Sequence, residues 1–153
     1  MTTTAAELFD DARRRLVGVA REGLGEERAP RWRAARIARV GEAWHLGVLL
    51  LTDDAVLATG DVLRAAEEVR RGYAAESART RAEQRARARK GGFGEGELVH
   101  VGWQVLDIAA VDRGAASGPL LLVDGVPSVR WSRGGEYVPL AGYLNERIAL
   151  AGG

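Results

Sequence analysis

The chain has 153 residues, a formal net charge of +1, two histidines and no cysteine. A chain of this length buries roughly 70% of its unfolded surface, so we predict a single domain over residues 1–153 with a core that needs no disulfides. The missing cysteines exclude disulfides and thiolate metal sites, and two histidines are too few for a histidine-rich metal site. Because there is no basic-then-apolar leader and no apolar run of roughly 18 residues, we expect a cytoplasmic protein that does not insert into a membrane.

The basic residues are unevenly distributed along the chain. Residues 13–39 carry nine arginines and three glutamates, and residues 61–90 carry nine basic and five acidic residues. Residues 91–153 reverse the balance, with four arginines and seven acids. Of the 22 basic residues only Lys90 is a lysine, a bias that, with frequent Ala and Gly, is typical of GC-rich bacterial genomes. The arginine content alone therefore does not indicate nucleic-acid binding.

The first 60 residues predict a helix followed by a meander of strands. Thr4 and Glu7 have the spacing of a capping box, and the apolar residues after them recur at helical spacing over residues 4–20. Gly and Pro mark residues 23–30 as a loop. Three strand-like runs follow, with turns expected at Gly41-Glu42 and at Thr52 to Asp54; the runs are Trp32–Val40, Trp44–Leu51 and Ala55–Thr59.

Residues 61–96 predict a helical insert that ends in a glycine-rich hinge. A modest apolar stripe covers Val62 to Val69, and from Ala74 to Lys90 the only apolar residues are alanines among many arginines. Helix propensity is high there, but a stripe of alanine buries little area. We therefore expect this helix to project from the protein or to lie along its surface, with Gly91–Gly96 as the hinge.

The last third predicts further strands and a C-terminal helix. A strand is expected from Val99 to Val105, with a bend where the apolar phase shifts, and a hairpin is expected around Asp124-Gly125, the pair that a type I′ turn favours. Pro139 suits the first turn of a final helix with Leu140, Tyr143, Leu144 and Ile148 on its buried side. We therefore predict an α+β fold. Its antiparallel sheet of six to seven strands, or a pleckstrin-homology-like barrel, has N-terminal, middle and C-terminal helices.

No sequence motif predicts a catalytic, cofactor or metal site. The glycines at 92–96 lack the preceding strand and following helix of a dinucleotide site, and no serine lies in a Gly-x-Ser-x-Gly or Ser-x-x-Lys motif. His100 is the best candidate for a titrating group, with Asp107 as a partner only if the strand bends, but a structural histidine is the ordinary interpretation. Turn formation explains Asp53, Asp54 and Asp112. We therefore expect no catalytic residue, no cofactor and no bound metal.

Two groups of residues are candidates for interaction. The arginines of the middle helix predict a basic surface, although an exposed helix face without a partner, a protein or self-association surface, and a weak nucleic-acid or anionic-membrane site all fit. No aromatic residue lies among them, so base stacking is not expected there. Tryptophans on strands, Trp131 included, also suit a pocket, with core packing as the ordinary alternative. The candidate surface is Arg70, Arg71, Arg81, Arg85 and Arg89, and the candidate pocket is Trp44, His100 and Trp103.

Part of the chain resembles a known group of proteins. The stretch Ala43–Thr52, followed by Leu57–Asp61 and Gly91-Gly92-Phe93, resembles a small family of actinobacterial proteins over most of the chain. Some members carry the label glutaminase, so the resemblance implies an amide hydrolase. Serine-dependent glutaminases use a Ser-x-x-Lys pair that this chain lacks, so no catalytic residue is carried over. The strand groups that end in an amphipathic helix are also similar to a pleckstrin-homology-like barrel, whose last helix plugs one open end.

These observations favour a non-catalytic function. We expect a binding or scaffolding module, associating with another protein or with itself as a homo-oligomer, whose small-molecule ligand the sequence does not name. The alternatives are an anionic-surface or nucleic-acid binder that uses the arginine-rich helix, and an amide hydrolase.

Overall fold

The computed structural model describes residues 3–32, 34–66 and 76–153. Within these ranges the protein is α+β, with four helices, a mixed sheet of seven strands and a small three-stranded sheet. The predicted N-terminal, middle and C-terminal helices are present. In chain order the elements are α1 Ala5–Arg15, β1 Glu22–Arg28, β2 Arg36–Leu46, β3 Leu49–Leu51, β4 Val56–Ala58, β5 Asp61–Arg64, α2 Glu76–Lys90, β6 Leu98–Val101, β7 Gln104–Val105, α3 Ile108–Asp112, β8 Leu120–Val123, β9 Val126–Val129, β10 Val138–Pro139 and α4 Leu140–Ala151.

The sheet topology differs from the predicted antiparallel sheet or closed barrel. The hydrogen-bonded order is β5-β6-β1-β2-β3-β4-β7, and β1 pairs with β6 in parallel while the other neighbours are antiparallel. In the described part of the chain this order is open at β5 and β7, so no barrel is closed. The second sheet has the order β10-β9-β8. The parallel pair joins strands far apart in sequence, which local sequence patterns do not reveal.

The described residues group into two compact units, each with its own hydrophobic core. Unit 1 takes its residues from Met1–Arg21, Trp44–Thr59 and Gln104–Gly153, and unit 2 from Glu22–Ala43 and Gly60–Trp103. The single domain predicted from chain length stays a prediction.

In unit 1, helix α1 is fixed at its N-terminus by two side chains. Thr4 accepts a hydrogen bond from the Glu7 N–H at 3.1 Å, which confirms this half of the predicted capping box. The Asp112 carboxylate accepts from the Ala5 N–H at 2.7 Å and the Ala6 N–H at 3.0 Å, across more than 100 residues of sequence. A carboxylate here both pairs free N–H groups and opposes the positive end of the helix dipole. Asp112 therefore ties α1 to α3.

The predicted end of this helix is wrong. The helix stops at Arg15, five residues earlier than predicted, and Leu16 is its C-cap. Gly18 then takes a φ of +85°, a left-handed conformation that glycine adopts without strain. The apolar spacing continues to Val19 because Leu16 packs in the core and Val19 packs against it. Apolar residues that pack in the core after the helix end therefore continue the helical spacing in the sequence.

A tight turn between β2 and β3 replaces two predicted features. The expected turn at Gly41-Glu42 is part of β2, where Gly41 pairs with Leu24, and the expected strand over Trp44–Leu51 is interrupted at Gly47. Gly47 has a φ of +67°. The Tyr143 hydroxyl of α4 donates to the Leu46 C=O and accepts from the Val48 N–H, both at 2.9 Å. One side chain of α4 therefore satisfies both backbone groups of this turn.

The C-terminal part of unit 1 agrees with the prediction. The β8–β9 hairpin turns at Asp124 and Gly125, whose φ values of +50° and +78° are those of a type I′ turn. Pro139 precedes α4 as expected. The four residues predicted to face the core are buried: Leu140, Tyr143, Leu144 and Ile148.

In unit 2, two segments predicted otherwise form strands. Residues 23–30 were predicted as a loop, but β1 runs through Gly23 and Gly25, and β5 occupies the start of the predicted helix at 61–64. The glycines of β1 serve close packing, because a Cβ at Gly23 would stand 2.6 Å from the Phe93 ring. A strand glycine that leaves room for a neighbouring side chain cannot be distinguished in sequence from a turn glycine, so the segment was predicted as a loop.

The middle helix α2 packs within unit 2 through a narrow alanine face. Ala86 and Ala88 are buried, and the Ala66 N–H donates to the Arg85 C=O at 3.2 Å. Beyond the helix, the predicted hinge residues include Phe93, which is fully buried in the core of this unit. Small alanine side chains allow this helix to approach closely, while Arg79, Arg81 and Arg85 on it are exposed.

An ion pair fixes the segment after α2. The Glu97 carboxylate accepts hydrogen bonds from Arg39 Nη2 at 2.5 and 2.6 Å and from the Gly94 N–H at 3.0 Å, and the Arg39 guanidinium lies 4.5 Å from the Phe93 ring centre. Partial burial raises the pKa of Glu97, but the hydrogen bonds from Arg39 and Gly94, with the charge of Arg39, lower this pKa by more. The pKa of the Glu97 carboxyl is therefore below its ordinary value.

Replacing Asp112 tests the cap on α1. We expect Asp112→Ala to lower the free energy of unfolding by about 1–2 kcal/mol, because two N–H groups at the helix start lose their acceptor. Asp112→Asn keeps an acceptor oxygen and should lose less. Urea unfolding followed by circular dichroism measures both; equal losses in the two variants would argue against a hydrogen-bonded cap.

Replacing Tyr143 tests the β2–β3 turn. Tyr143→Phe should lower the free energy of unfolding by about 1–3 kcal/mol, since the buried Leu46 C=O loses its donor. Tyr137→Phe is the matched control, because this half-buried tyrosine of the same unit has no hydroxyl hydrogen bond within the described chain, and its cost should stay within about 0.5 kcal/mol. Similar losses for the two variants in chemical denaturation would contradict the role of the Tyr143 hydroxyl.

The lowered pKa of Glu97 predicts a pH dependence of stability. A carboxyl whose pKa is lower in the folded chain stabilises the fold above its unfolded value, here 4.5, and this contribution is lost as the pH falls through the lower folded pKa. Glu97→Gln should therefore be less stable than the parent at pH 7, and the difference should shrink below pH 4.5. Urea midpoints between pH 7 and about pH 3 measure this. Glu26→Gln, at an exposed glutamate, serves as control; an identical pH profile for it would refute the assignment.

Candidate functional site

The most exposed aromatic surface of unit 1 lies on the loop between β9 and β10. The Arg130 N–H donates to the Pro119 C=O at 2.9 Å, and beyond this bond the chain leaves the sheet. It turns back at Gly134, which has a φ of +76°, and the Gly135 N–H donates to the Ser132 C=O at 3.1 Å. Trp131 stands on this loop with 51% of its surface exposed. The sequence placed Trp131 on a strand; β9 instead ends at Val129, two residues earlier.

A cavity lined by Trp131, here called the cationic cavity, has a volume of about 700 Å³. Arg130 and Arg133 contribute guanidinium groups to its lining, and Thr59, Ser132 and Tyr137 contribute hydroxyls. This volume is within the range of ligand pockets, and the polar groups are donors that suit an anion. The cavity thus combines an indole face with two positive charges.

The two arginines of the cationic cavity have no internal partner. Among the described residues, neither Arg130 nor Arg133 makes an ion pair or a side-chain hydrogen bond, and both are exposed. By contrast, Arg13, Arg15 and Arg21 of the same unit are held by carboxylates, amides or carbonyls. The guanidinium groups beside Trp131 are therefore available to a ligand.

A second cavity, the apolar cavity, is also lined by Trp131 and has a volume of about 440 Å³. Val138, Pro139, Gly142 and Tyr143 line its apolar part, with Glu146 and Arg147 as its charged residues, and the Arg147 guanidinium lies 5.4 Å from the Tyr143 ring centre. Because Trp131 lines both cavities, a ligand on its ring can reach into both. We name these two cavities with Trp131 the Trp131 surface.

A third cavity of unit 1, of about 510 Å³, is lined by carboxylates that already have structural partners. Asp10 binds Arg13 at 2.9 Å, Asp54 accepts from the Thr52 hydroxyl at 3.1 Å, and Asp107 accepts from the Ala110 N–H at 3.0 Å. Asp107 is thereby the N-cap of α3, a short helix that the sequence did not predict. These carboxylates are explained by the fold, so the Trp131 surface is the stronger candidate.

The three residues predicted to form a pocket have internal roles in their own units. In unit 1, the Trp44 ring is buried, donates its N–H to the Val19 C=O at 2.9 Å and packs 3.8 Å from the Arg21 guanidinium. In unit 2, His100 is 1% exposed and its Nε2 lies 3.1 Å from a Glu22 carboxylate oxygen.

Trp103 of unit 2 likewise donates its ring N–H to a backbone carbonyl, that of Gly25, at 3.1 Å. The linings of the three cavities described above include none of Trp44, His100 and Trp103. The proposed pocket of these three residues stays a prediction, and their observed contacts agree with the alternative of structural packing.

The predicted basic surface is described in part. Arg70 and Arg71 lie outside the described residues. Arg81 and Arg85 are exposed on α2, and within the described chain neither side chain has a partner. The Arg89 side chain folds back onto the segment after the helix, donating to the Phe93 C=O at 2.9 Å. Of the three described residues of the candidate surface, Arg81 and Arg85 are therefore exposed, whereas Arg89 contacts the fold.

Comparison with protein-family models, curated proteins and solved structures finds no match for this chain. The resemblance to an actinobacterial family and the glutaminase activity that it implies stay predictions. Among the described residues, no helix combines the length and apolar character needed to cross a bilayer.

Proposed function

We propose that the protein is a non-catalytic binding module that recognises an anionic ligand at the Trp131 surface of unit 1. The observation that carries this proposal is an exposed tryptophan that lines both a cavity with two unpaired arginines and a second, more apolar cavity. A ligand with a flat or apolar part and a nearby negative group complements both cavities. Binding explains this surface without any reacting group.

The energetics of the surface support a binding role. An exposed indole leaves a large apolar area in water, and burying it beneath a ligand removes that area at about 25 cal/mol per Å². A guanidinium is more weakly hydrated than an ammonium, and one without a carboxylate partner has its donors available for bidentate contacts to an anion. Tryptophan and arginine are also the residue types enriched where binding energy concentrates.

A second candidate is anionic-surface binding through α2. It is favoured by Arg79, Arg81 and Arg85, which are exposed and have no side-chain partner in the described part of the chain. Several cations on one helix attract a polyanion by releasing its counterions, an effect that weakens with salt. Self-association through this helix is disfavoured by repulsion between like charges.

Charge removal separates the two candidates. We expect the double variant Arg130→Gln/Arg133→Gln to lose at least about tenfold in affinity for a heparin decasaccharide at low salt, since two charge-assisted contacts disappear. Isothermal titration calorimetry at several salt concentrations measures the affinity. Arg113→Gln is the matched control, because Arg113 is an exposed arginine of unit 1 outside both cavities.

The α2 variant Arg81→Gln/Arg85→Gln completes the experiment. A loss confined to this variant would transfer the function to α2. The absence of any heparin binding by the parent protein at low salt would rule out both candidates.

A further inference from the structure

The four tryptophans of the chain divide into two kinds. Trp44 and Trp103 each donate the indole N–H to a backbone carbonyl within their own unit. Trp32 and Trp131 are 84% and 51% exposed, and within the described chain neither makes a side-chain hydrogen bond. One exposed tryptophan belongs to each unit. Hydrogen bonds within the fold account for the positions of Trp44 and Trp103, but not for the exposure of Trp32 and Trp131.

Both exposed tryptophans follow an exposed arginine directly in sequence. Arg31 precedes Trp32, and Arg130 precedes Trp131. Neither arginine side chain has a partner among the described residues, and both are exposed. The same pairing of an aromatic face with a free positive charge therefore occurs once in each unit. A ring and an adjacent cation are the two elements with which proteins hold a base and its phosphate.

The surroundings of Trp32 include a second arginine whose side chain has no partner in the described chain. Trp32 lies on the loop that joins β1 to β2, and the last register pair of this hairpin sets Arg28 opposite Arg36. Arg28 is ion-paired with Glu26 at 3.7 Å. Arg36 Nε, by contrast, is buried without a hydrogen-bond partner within the described chain. An anion bound at this hairpin end would give Arg36 the acceptor that it lacks.

We propose that each unit binds single-stranded nucleic acid at a site of its own, with a base stacked on Trp131 in unit 1 and on Trp32 in unit 2 and with phosphates held by the neighbouring arginines. The site at Trp131 rests on the proposed function and names its ligand. The site at Trp32 rests on the separate observations at the β1–β2 hairpin of unit 2.

The exposed rings favour a single strand over other polyanions. A duplex keeps its base faces stacked, whereas a single strand offers them to an aromatic side chain. A membrane partner would require a continuous apolar area around each ring. Trp131 is instead flanked by Arg130, Ser132 and Arg133, and only small residues and Arg31 precede Trp32 on its loop.

Fluorescence anisotropy with a labelled twelve-nucleotide oligothymidylate tests the inference. Trp32→Ala should weaken binding at the unit 2 site, and Trp131→Ala at the unit 1 site, each roughly 5- to 150-fold, the loss of one stacked base. Trp32→Phe and Trp131→Phe keep a ring and should retain most of the affinity. Leu150→Ala is the matched control, because it truncates an exposed apolar side chain that lines neither cavity and whose neighbours in sequence are alanines, and it should have no effect.

Three further probes distinguish the outcomes: a twelve-base-pair duplex, a heparin decasaccharide, and phosphatidylserine–phosphatidylcholine vesicles. Tighter binding of oligothymidylate than of the duplex, sensitive to both alanine variants, supports the inference. Heparin and oligothymidylate binding that depends on Arg130 and Arg133 but on neither tryptophan keeps the proposed function and overturns the nucleic-acid role. Vesicle binding without oligothymidylate binding overturns it in favour of a lipid surface. Failure to bind any of the four probes overturns both proposals.

Discussion

The Trp131 surface depends on one buried hydroxyl. Tyr143 is the side chain through which α4 satisfies both the Leu46 C=O and the Val48 N–H of the β2–β3 turn. Gly47 is required in this turn, because a Cβ there would collide with the same hydroxyl and the residue has a positive φ. The contact fixes α4, and α4 directly follows β10 and the loop that carries Trp131. The ring of Tyr143 also lines the apolar cavity, so one residue both anchors the helix and forms part of the candidate site.

The parts of the fold that sequence predicts well are those decided by neighbours in the chain. The Asp124-Gly125 turn is specified by two residues that tolerate positive φ, and the buried side of α4 is specified by its spacing. The start of α1 follows from Thr4, three residues before the N–H that it caps. The N-terminal cap supplied by Asp112 has no local signal, because its partners lie more than 100 residues away.

The errors of the fold prediction have two physical origins: glycines that lie inside strands, and pairing between strands far apart in the chain. Gly23 and Gly25 indicate a loop by composition, yet they lie in β1 because Phe93 and Ile37 pack where their side chains would be. The parallel pairing of β1 with β6 is likewise invisible to local periodicity. For the candidate site, the sequence singled out the strand tryptophans, Trp131 among them, but an indole N–H bonded inward, as in Trp44 and Trp103, cannot be distinguished in sequence from an exposed one. Trp32 could have been singled out by its arginine neighbours and by the proline of its loop.

The net charge of +1 conceals how the charges of this protein are used. Arg13, Arg15, Arg21, Arg39 and Arg89 each hold a carbonyl, an amide or a carboxylate of the fold, so these arginines act as structural donors. The near balance of 22 basic and 21 acidic residues therefore says little about the surface, since pairing removes many of both. What attracts an anion is the cation left unpaired, because salt screens charges more than about 10 Å apart while adjacent ones act together. In the described chain such cations stand beside both exposed tryptophans and along α2. A chain that is almost neutral as a whole can thus carry local sites for a negatively charged partner.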